Sequence, residues 1–192
     1  MIYLVRHGET EFNREHRYQG ACDSPLTALG VSQGRALGAL LARLIPDMDG
    51  WSMAVSPLGR AQRTAGLIRE ALPLPFVTDA RLCEVSLGGW DGMTSEEIAA
   101  AYPGRLDGLS RWEWYFNGPG GETYEGLCAR LGAWLDETLA AGAPVVAVSH
   151  GVSGRVLRGL YAGLGREETL KLEVPQDAVF RLSEGRVERI DA

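Results

Sequence analysis

Hydrophobic positions along this chain switch repeatedly between two periods. Ile2 to Val5 is a short, continuously apolar run, the pattern of a strand covered on both faces. Polar residues from Arg6 to Leu26 read as a loop. Beyond Thr27, a residue suited to capping, Leu37, Leu40, Leu41 and Leu44 recur at i, i+3, i+4 and i+7 until Pro46 and Gly50 break the pattern, which predicts an amphipathic helix. Met53 to Val55 reads as a second strand. Ser56 as N-cap, with Pro57 in the first turn, then predicts a helix bearing Ala61, Ala65, Ile68 and Leu72 on one side. Phe76 to Thr78 and Leu82 to Val85 read as short extended pieces, and Thr94 with Glu97 makes a capping box for a helix reaching Tyr102.

The stretch from Pro103 to Gly121 is the least regular. A helix is predicted from about Thr123 to Ala141, with Leu127, Leu131, Trp134 and Leu135 on one face, followed by a strand over Val145 to Ser149. Gly151 opens a further helix to about Leu164, and Ala178 to Leu182 with Val187 to Ile190 read as a hairpin around Glu184-Gly185. Strand and helix patterns that alternate along the chain predict an α/β fold with a mainly parallel sheet.

The 192 residues, 45% of them hydrophobic and 23% charged, match a globular chain able to bury a full core. A single domain over residues 1–192 is expected. The longest apolar stretch, Ala143 to Val148, is far short of the roughly 20 residues of a membrane span. Met1 runs directly into the first strand without a leader pattern, so the expectation is a cytoplasmic chain with no membrane partner. A net charge of −6 argues against binding along a nucleic-acid backbone, while leaving room for a local cationic pocket. Cys22, Cys83 and Cys128 have no paired spacing, so they read as reduced, buried thiols and not as a disulfide or zinc framework.

Two strands end alike: Leu4-Val5-Arg6-His7-Gly8 and Ala147-Val148-Ser149-His150-Gly151. Ligands of parallel α/β sheets bind outside the carboxyl ends of the strands, and glycine there lets a ligand approach backbone N–H groups. A third strand end feeds Arg60 to the same edge, so Arg6 and Arg60 accompany the two histidines. Two fixed guanidiniums disfavour a divalent metal, and their fork suits a phosphate. Neighbouring positive charge keeps an imidazole neutral and nucleophilic, which makes His7 the candidate nucleophile.

The run Arg6-His7-Gly8-Glu9-Thr10, followed by Asn13, resembles the signature of the histidine phosphatase superfamily in its phosphoglycerate mutase-like branch. Tyr18-Gln19-Gly20 with Pro25-Leu26-Thr27 and Gly30, Ser56 to Ala61 with Thr64-Ala65, Leu82 to Glu84 with Gly88, and Ser149-His150-Gly151 resemble that family's successive blocks in order. The resemblance implies a three-layer α/β/α sandwich and hydrolysis of a small phosphorylated substrate through a phosphohistidine. His7 would attack phosphorus. Arg6, Arg60, Asn13 and His150 would hold the phosphoryl oxygens, with the Gly8 and Gly151 backbones close by. Glu84 matches the acid that protonates the leaving oxygen and then activates water, with Asp79, Glu9 and Glu122 as alternative acids. Thr10 and Gln19 match loop positions that can touch substrate. No metal or organic cofactor is implied.

His16 and Arg63 read as rim or solvent residues, and Trp112, Trp114, Tyr115 and Phe116 as packing or a wall at the pocket mouth. The Val85 to Thr123 segment carries only Arg105 and Arg111 and no lysine, too few cations to hold a second phosphate. A phosphatase resembling the compact broad-specificity and α-ribazole phosphatases is therefore expected ahead of a phosphoglycerate mutase. A non-catalytic phosphate-binding relative is the remaining alternative.

Overall fold

Side-chain alternation along the strands explains the layering. In the computed structural model, which describes residues 1–110 and 112–192, Ile2 and Leu4 join one core cluster and Tyr3 and Val5 the other. Val145 and Ala147 are likewise separated from Val146 and Val148, because successive strand residues face opposite sides. Continuously apolar strands therefore need helices on both faces.

The described strands are β1 (Ile2–Arg6), β2 (Ser52–Val55), β3 (Phe76–Thr78), β4 (Val145–Ser149), β5 (Ala178–Ser183) and β6 (Arg186–Asp191), in the order β3-β2-β4-β1-β5-β6. The first four in that order are parallel, and β5 and β6 close one edge antiparallel. The described helices are α1 (Glu11–Arg14), α2 (Ala28–Leu44), α3 (Gly59–Arg69), α4 (Ser95–Ala101), α5 (Tyr124–Ala141), α6 (Gly151–Ala162) and α7 (Arg166–Lys171). Leu37, Leu40 and Leu41 of α2 and Ala61, Ala65 and Ile68 of α3 cover one face of the sheet. Leu127, Leu131, Trp134 and Leu135 of α5 and Val156 and Leu157 of α6 cover the other. The result is the expected three-layer α/β/α arrangement. Each buried leucine contributes about 2 kcal/mol by leaving water.

Local chemistry moved several predicted boundaries. The Arg6–Leu26 loop contains α1, whose N-cap Thr10 forms a reciprocal capping box with Asn13. Four residues are too few for a hydrophobic period to reveal. Ser56 does not cap a helix at Pro57, since α3 begins at Gly59 and Leu58 stays extended at φ −67°, ψ 136°. The helix proper stops at Arg69, and Leu72 is reached by a final turn. Leu82 is not extended but ends a 3₁₀ turn over Ala80–Leu82 capped by Asp79. The last long helix ends at Ala162, where Gly163 turns left-handed at φ 67°, and α7 follows as a separate element. All three cysteines are free and half-buried, so full burial was not found. Arg111 lies outside the described residues.

Candidate active site

Strand order builds the centre of the site. The parallel register pairs Arg6 with Ser149 and Val55 with Val148, so the residues just past three neighbouring strands, Ser56, His150 and His7, stand in a row. The ladder continues into them, with the His7 amide donating to Ser149 O at 3.1 Å and the Ser56 amide to Val148 O at 3.0 Å. The His7 and His150 rings lie 5.2 Å apart, and both are buried.

His7 Nδ1 is 2.8 Å from Gly8 O. A carbonyl only accepts, so Nδ1 carries the proton and Nε2 the lone pair. Arg60 Nε donates to that lone pair at 3.3 Å. Burial first, then the charges of Arg6 and Arg60, holds the His7 pKa well below the ordinary imidazole value. His150 is depressed in the same way by burial and by Arg60. Both rings are neutral at neutral pH.

Arg6 donates to Val174 O at 2.6 Å. Burial pushes its pKa down to about 10, partly offset by Glu84, which leaves it charged. Its Nε is buried without a partner, as are His150 Nδ1 and Gln19 Oε1. Gln19 Nε2 lies 2.5 Å from Thr10 Oγ1.

Glu84 is the acid brought here. Its Oε1 accepts from the Val85 and Ser153 amides and its Oε2 from the Val152 amide at 3.0 Å, while the single Ser153 hydroxyl proton is drawn to Cys83 O at 2.6 Å, with Oε1 at 3.0 Å. The carboxylate thus sits on the α6 N-terminus, where partial positive charge favours it. A Cβ on Gly151 would be 3.6 Å from both Glu84 Oε2 and Arg6 Nε. The alternative acids are engaged elsewhere: Asp79 with Arg81, Glu122 with Arg130, and Glu9 with the Thr27 hydroxyl.

Other expected contacts are arranged differently. The Gly8 amide is not open to a ligand, because it donates to Thr64 Oγ1 at 3.1 Å. Gly8 serves packing, since a Cβ there would lie 2.3 Å from Gly30 O. Thr10 is fully buried, with its hydroxyl engaged by the Asn13 amide and Gln19, so it supports the loop instead of facing substrate. Arg60 turns its terminal nitrogens to the carbonyls of Gln19, Gly20 and Cys22 and to Asp23, presenting only Nε to His7. Asn13 Oδ1 accepts from the Thr10 amide and Gln176 Nε2, both near 3.1 Å, which leaves its amino group as a donor. His16 and Arg63 are exposed.

A cavity of about 340 Å³ opens beside His7, and Arg6, Asn13, Gln19, Glu84 and Gly151 line it. Its outer wall is Tyr18, Trp112, Trp114 and Tyr115, with Tyr18 and Trp114 at 4.3 Å. Arg155 and Arg17 also line it, and sequence reasoning missed both. Arg17 is paired with Glu97 at 2.6 Å. Arg155 lies one turn past Gly151 on α6, donates to Leu172 O and faces Trp112. The signal available was its i+4 spacing from Gly151. Gln176, which also donates to His7 O at 3.1 Å, had no such signal. Among the described residues no group of three metal-ligating side chains forms, and no helix is long and apolar enough to cross a membrane.

The family model for the histidine phosphatase superfamily (branch 1) matches residues 2–188. A relative described as "Probable phosphoglycerate mutase GpmB", from Yersinia pestis, is 33% identical over 94% of this chain and 83% of its own. The solved mycobacterial glucosyl-3-phosphoglycerate phosphatase Rv2419c, in complex with VO3, is 28% identical with a TM-score of 0.75, covering 94% of this chain and 90% of that one. Bacillus stearothermophilus YhfR is 27% identical with a TM-score of 0.81, covering 99% and 95%. With paired His-Gly strand ends, two guanidiniums beside them and a family match spanning nearly the whole chain, this protein belongs to branch 1 of the histidine phosphatase superfamily.

Proposed function

We propose that the protein hydrolyses small phosphomonoesters, without a metal, through a phosphohistidine on His7. The observation that carries this reading is that two buried donors, Arg6 Nε and His150 Nδ1, are left without partners, the first next to His7 in the chain and the second 5.2 Å from it ring to ring, while Arg60 Nε meets the His7 lone pair. Buried polar groups are rarely left unpaired, and an anion bearing several acceptor oxygens would satisfy the donors. The Gln19 amide joins them after a half-turn, for Thr10 Oγ1 already accepts the Asn13 amide and has a proton to give.

In the first step the His7 Nε2 lone pair forms the N–P bond as the ester P–O bond breaks in line. The ester enters as its monoanion and gives its proton to Glu84, which passes it to the leaving oxygen and is again a carboxylate. Arg60 Nε–H, released from the lone pair as the N–P bond forms, turns to a phosphoryl oxygen, where Arg6, His150 and the Asn13 amino group also donate. Water then attacks phosphorus, giving its proton to Glu84, and His7 Nε2 regains its lone pair as phosphate leaves. Two cations at the phosphoryl group support a reaction without a metal.

The aromatic wall favours a leaving group with a flat or apolar body. Related solved proteins include a glucosyl-3-phosphoglycerate phosphatase, which supports hydrolysis over isomerisation. The name of the Yersinia relative favours a second reading, a phosphoglycerate mutase dependent on a bisphosphate primer.

The test is phosphate release from an aryl phosphate and a panel of phosphorylated metabolites, with chelator in excess, for wild type and His7→Ala. Chelator-resistant turnover lost in His7→Ala is expected. Primer-dependent isomerisation of phosphoglycerate without net phosphate release would select the mutase reading.

A further inference from the structure

Ser56 entered the sequence reading as a helix cap, and it does not cap a helix. Its hydroxyl instead lies 2.7 Å from His150 Nε2, with Ser56 wholly buried and His150 nearly so. The contact is built by the sheet: β2 and β4 are paired up to Val55 and Val148, and the Ser56 amide donates to Val148 O. The serine therefore has little freedom to point elsewhere.

The protons around Ser56 can be counted. Oγ accepts the Leu58 amide proton at 3.3 Å and has one proton of its own to place. Two acceptors are in reach, His150 Nε2 at 2.7 Å and Cys83 Sγ at 4.0 Å. Sulfur is a weak acceptor, and 4.0 Å is the outer limit of such a bond. The imidazole nitrogen wins, so Nε2 keeps its lone pair. A neutral imidazole bears one N–H, which must then be on Nδ1, the atom left buried and unpartnered. The opposite tautomer would leave a buried lone pair beside His7, facing the lone pairs of any phosphoryl oxygen bound there.

We infer that Ser56 is a positioning residue that fixes His150 as the Nδ1–H tautomer, so that this ring donates to the phosphoryl group. The second half of the inference rests on the phosphatase reading, and the first half does not. Ser56 touches no substrate and acts through His150 alone.

The chain has three histidines, so side-chain ¹⁵N–¹H correlation spectra of the histidine-labelled protein can be assigned with His150→Gln. At neutral pH the wild type should show a protonated Nδ1 and an unprotonated Nε2 for His150. Ser56→Thr should keep that pattern, and Ser56→Ala should shift it toward a mixture or the reverse. A protonated Nε2 in the wild type, or an unchanged pattern in Ser56→Ala, overturns the inference. Should Ser56→Ala fail to fold, the wild-type spectrum alone decides the tautomer.

Inorganic phosphate titrated into the wild type should move the His150 Nδ1 resonance. No movement at saturation, with the tautomer as stated, overturns the donor role. On an aryl phosphate, Ser56→Ala should lose kcat/KM on the order of 10- to 100-fold, less than loss of the donor itself, and Ser56→Thr should restore most of it. Absence of turnover in every form would count against the phosphatase reading and leave the tautomer result standing.

Discussion

Glu84→Gln separates two roles that the geometry gives one carboxylate. Glu84 accepts three backbone amides, two on Oε1 and one on Oε2. A glutamine has one acceptor oxygen. Placed at Oε1 it keeps two of these bonds, but its amino group then faces the Val152 amide, donor against donor. One charge-assisted bond is lost, at about 1.5–3 kcal/mol, together with about 0.3–1 kcal/mol of charge at the α6 N-terminus. The sum is about 2–4 kcal/mol. For a chain of this size, at about 2–4 °C per kcal/mol, Tm should fall by roughly 4–16 °C, read by thermal unfolding.

The chemical role depends on the leaving group. A proton donor contributes on the order of 10²- to 10⁴-fold where an alkoxide leaves, and far less for a stabilised nitrophenolate. Glu84→Gln should therefore lose much more activity on an alkyl phosphate than on nitrophenyl phosphate, measured as phosphate release. An unchanged Tm would refute the cap, and equal losses on the two esters would refute the proton donor.

Both buried imidazoles have depressed pKa values, so as pH falls below about 6.5 the unfolded chain takes up protons that the folded chain refuses. Stability should be level above about pH 7 and fall with acidification, with a slope approaching about 2.7 kcal/mol per pH unit from the two rings together; denaturant melts between pH 7.5 and 5 that show no slope would refute it. Gly30→Ala places a Cβ 2.0 Å from Glu9 O, backbone against backbone beside the His7 loop, and should cost about 3 kcal/mol, read as a Tm lower by roughly 6–12 °C. Arg155 lines the cavity with no carboxylate partner among the described residues, and Arg155→Met should raise KM for phosphorylated substrates about tenfold, the equivalent of one charged hydrogen bond, while kcat changes little. A KM within twofold of wild type would remove Arg155 from substrate contact.

What the sequence made legible follows from which interactions leave a mark on residue type. Burial does, so the strands at Ile2 and Val145 and the stripes of α2 and α5 were readable from apolar spacing. Adjacency along parallel strands does too, once the repeated His-Gly ends are noticed. That placed His7 and His150 together before any coordinates. Bonds to backbone carbonyls leave no such mark. The Val174 carbonyl holds Arg6, the Glu173 carbonyl holds Arg158, and those of Arg81, Cys83 and Glu84 hold Arg130, and any residue supplies a carbonyl. The segment around Val174 to Gln176 was invisible for that reason. The side-chain role of Ser56 was misread for a related one: hydroxyls suit helix caps and turns, and only the fold shows that Ser56 meets a histidine 94 positions away, whereas Thr10, expected at the substrate, is itself the cap of α1.

The number of polar groups buried near His7 also explains why their supports are so numerous. A buried guanidinium with an unpaired Nε and two neutral imidazoles are costly to hold together. Each is clamped by bonds pointing away from the centre: Arg6 by Val174, His150 by Ser56, Asn13 by Gln176, and Arg60 by the 19–23 loop and Asp23. Clamping from behind keeps the front donors from relaxing onto one another or onto protein acceptors. The cost is carried in the folded state, which is the condition for a preorganised site. A surface with an acidic surplus, at net −6, sets no obstacle to this, since Arg60 Nε is fixed 3.3 Å from the lone pair of His7 and Arg6 is its neighbour in the chain. The same clamping of its terminal nitrogens is what aims the Arg60 Nε–H at that lone pair.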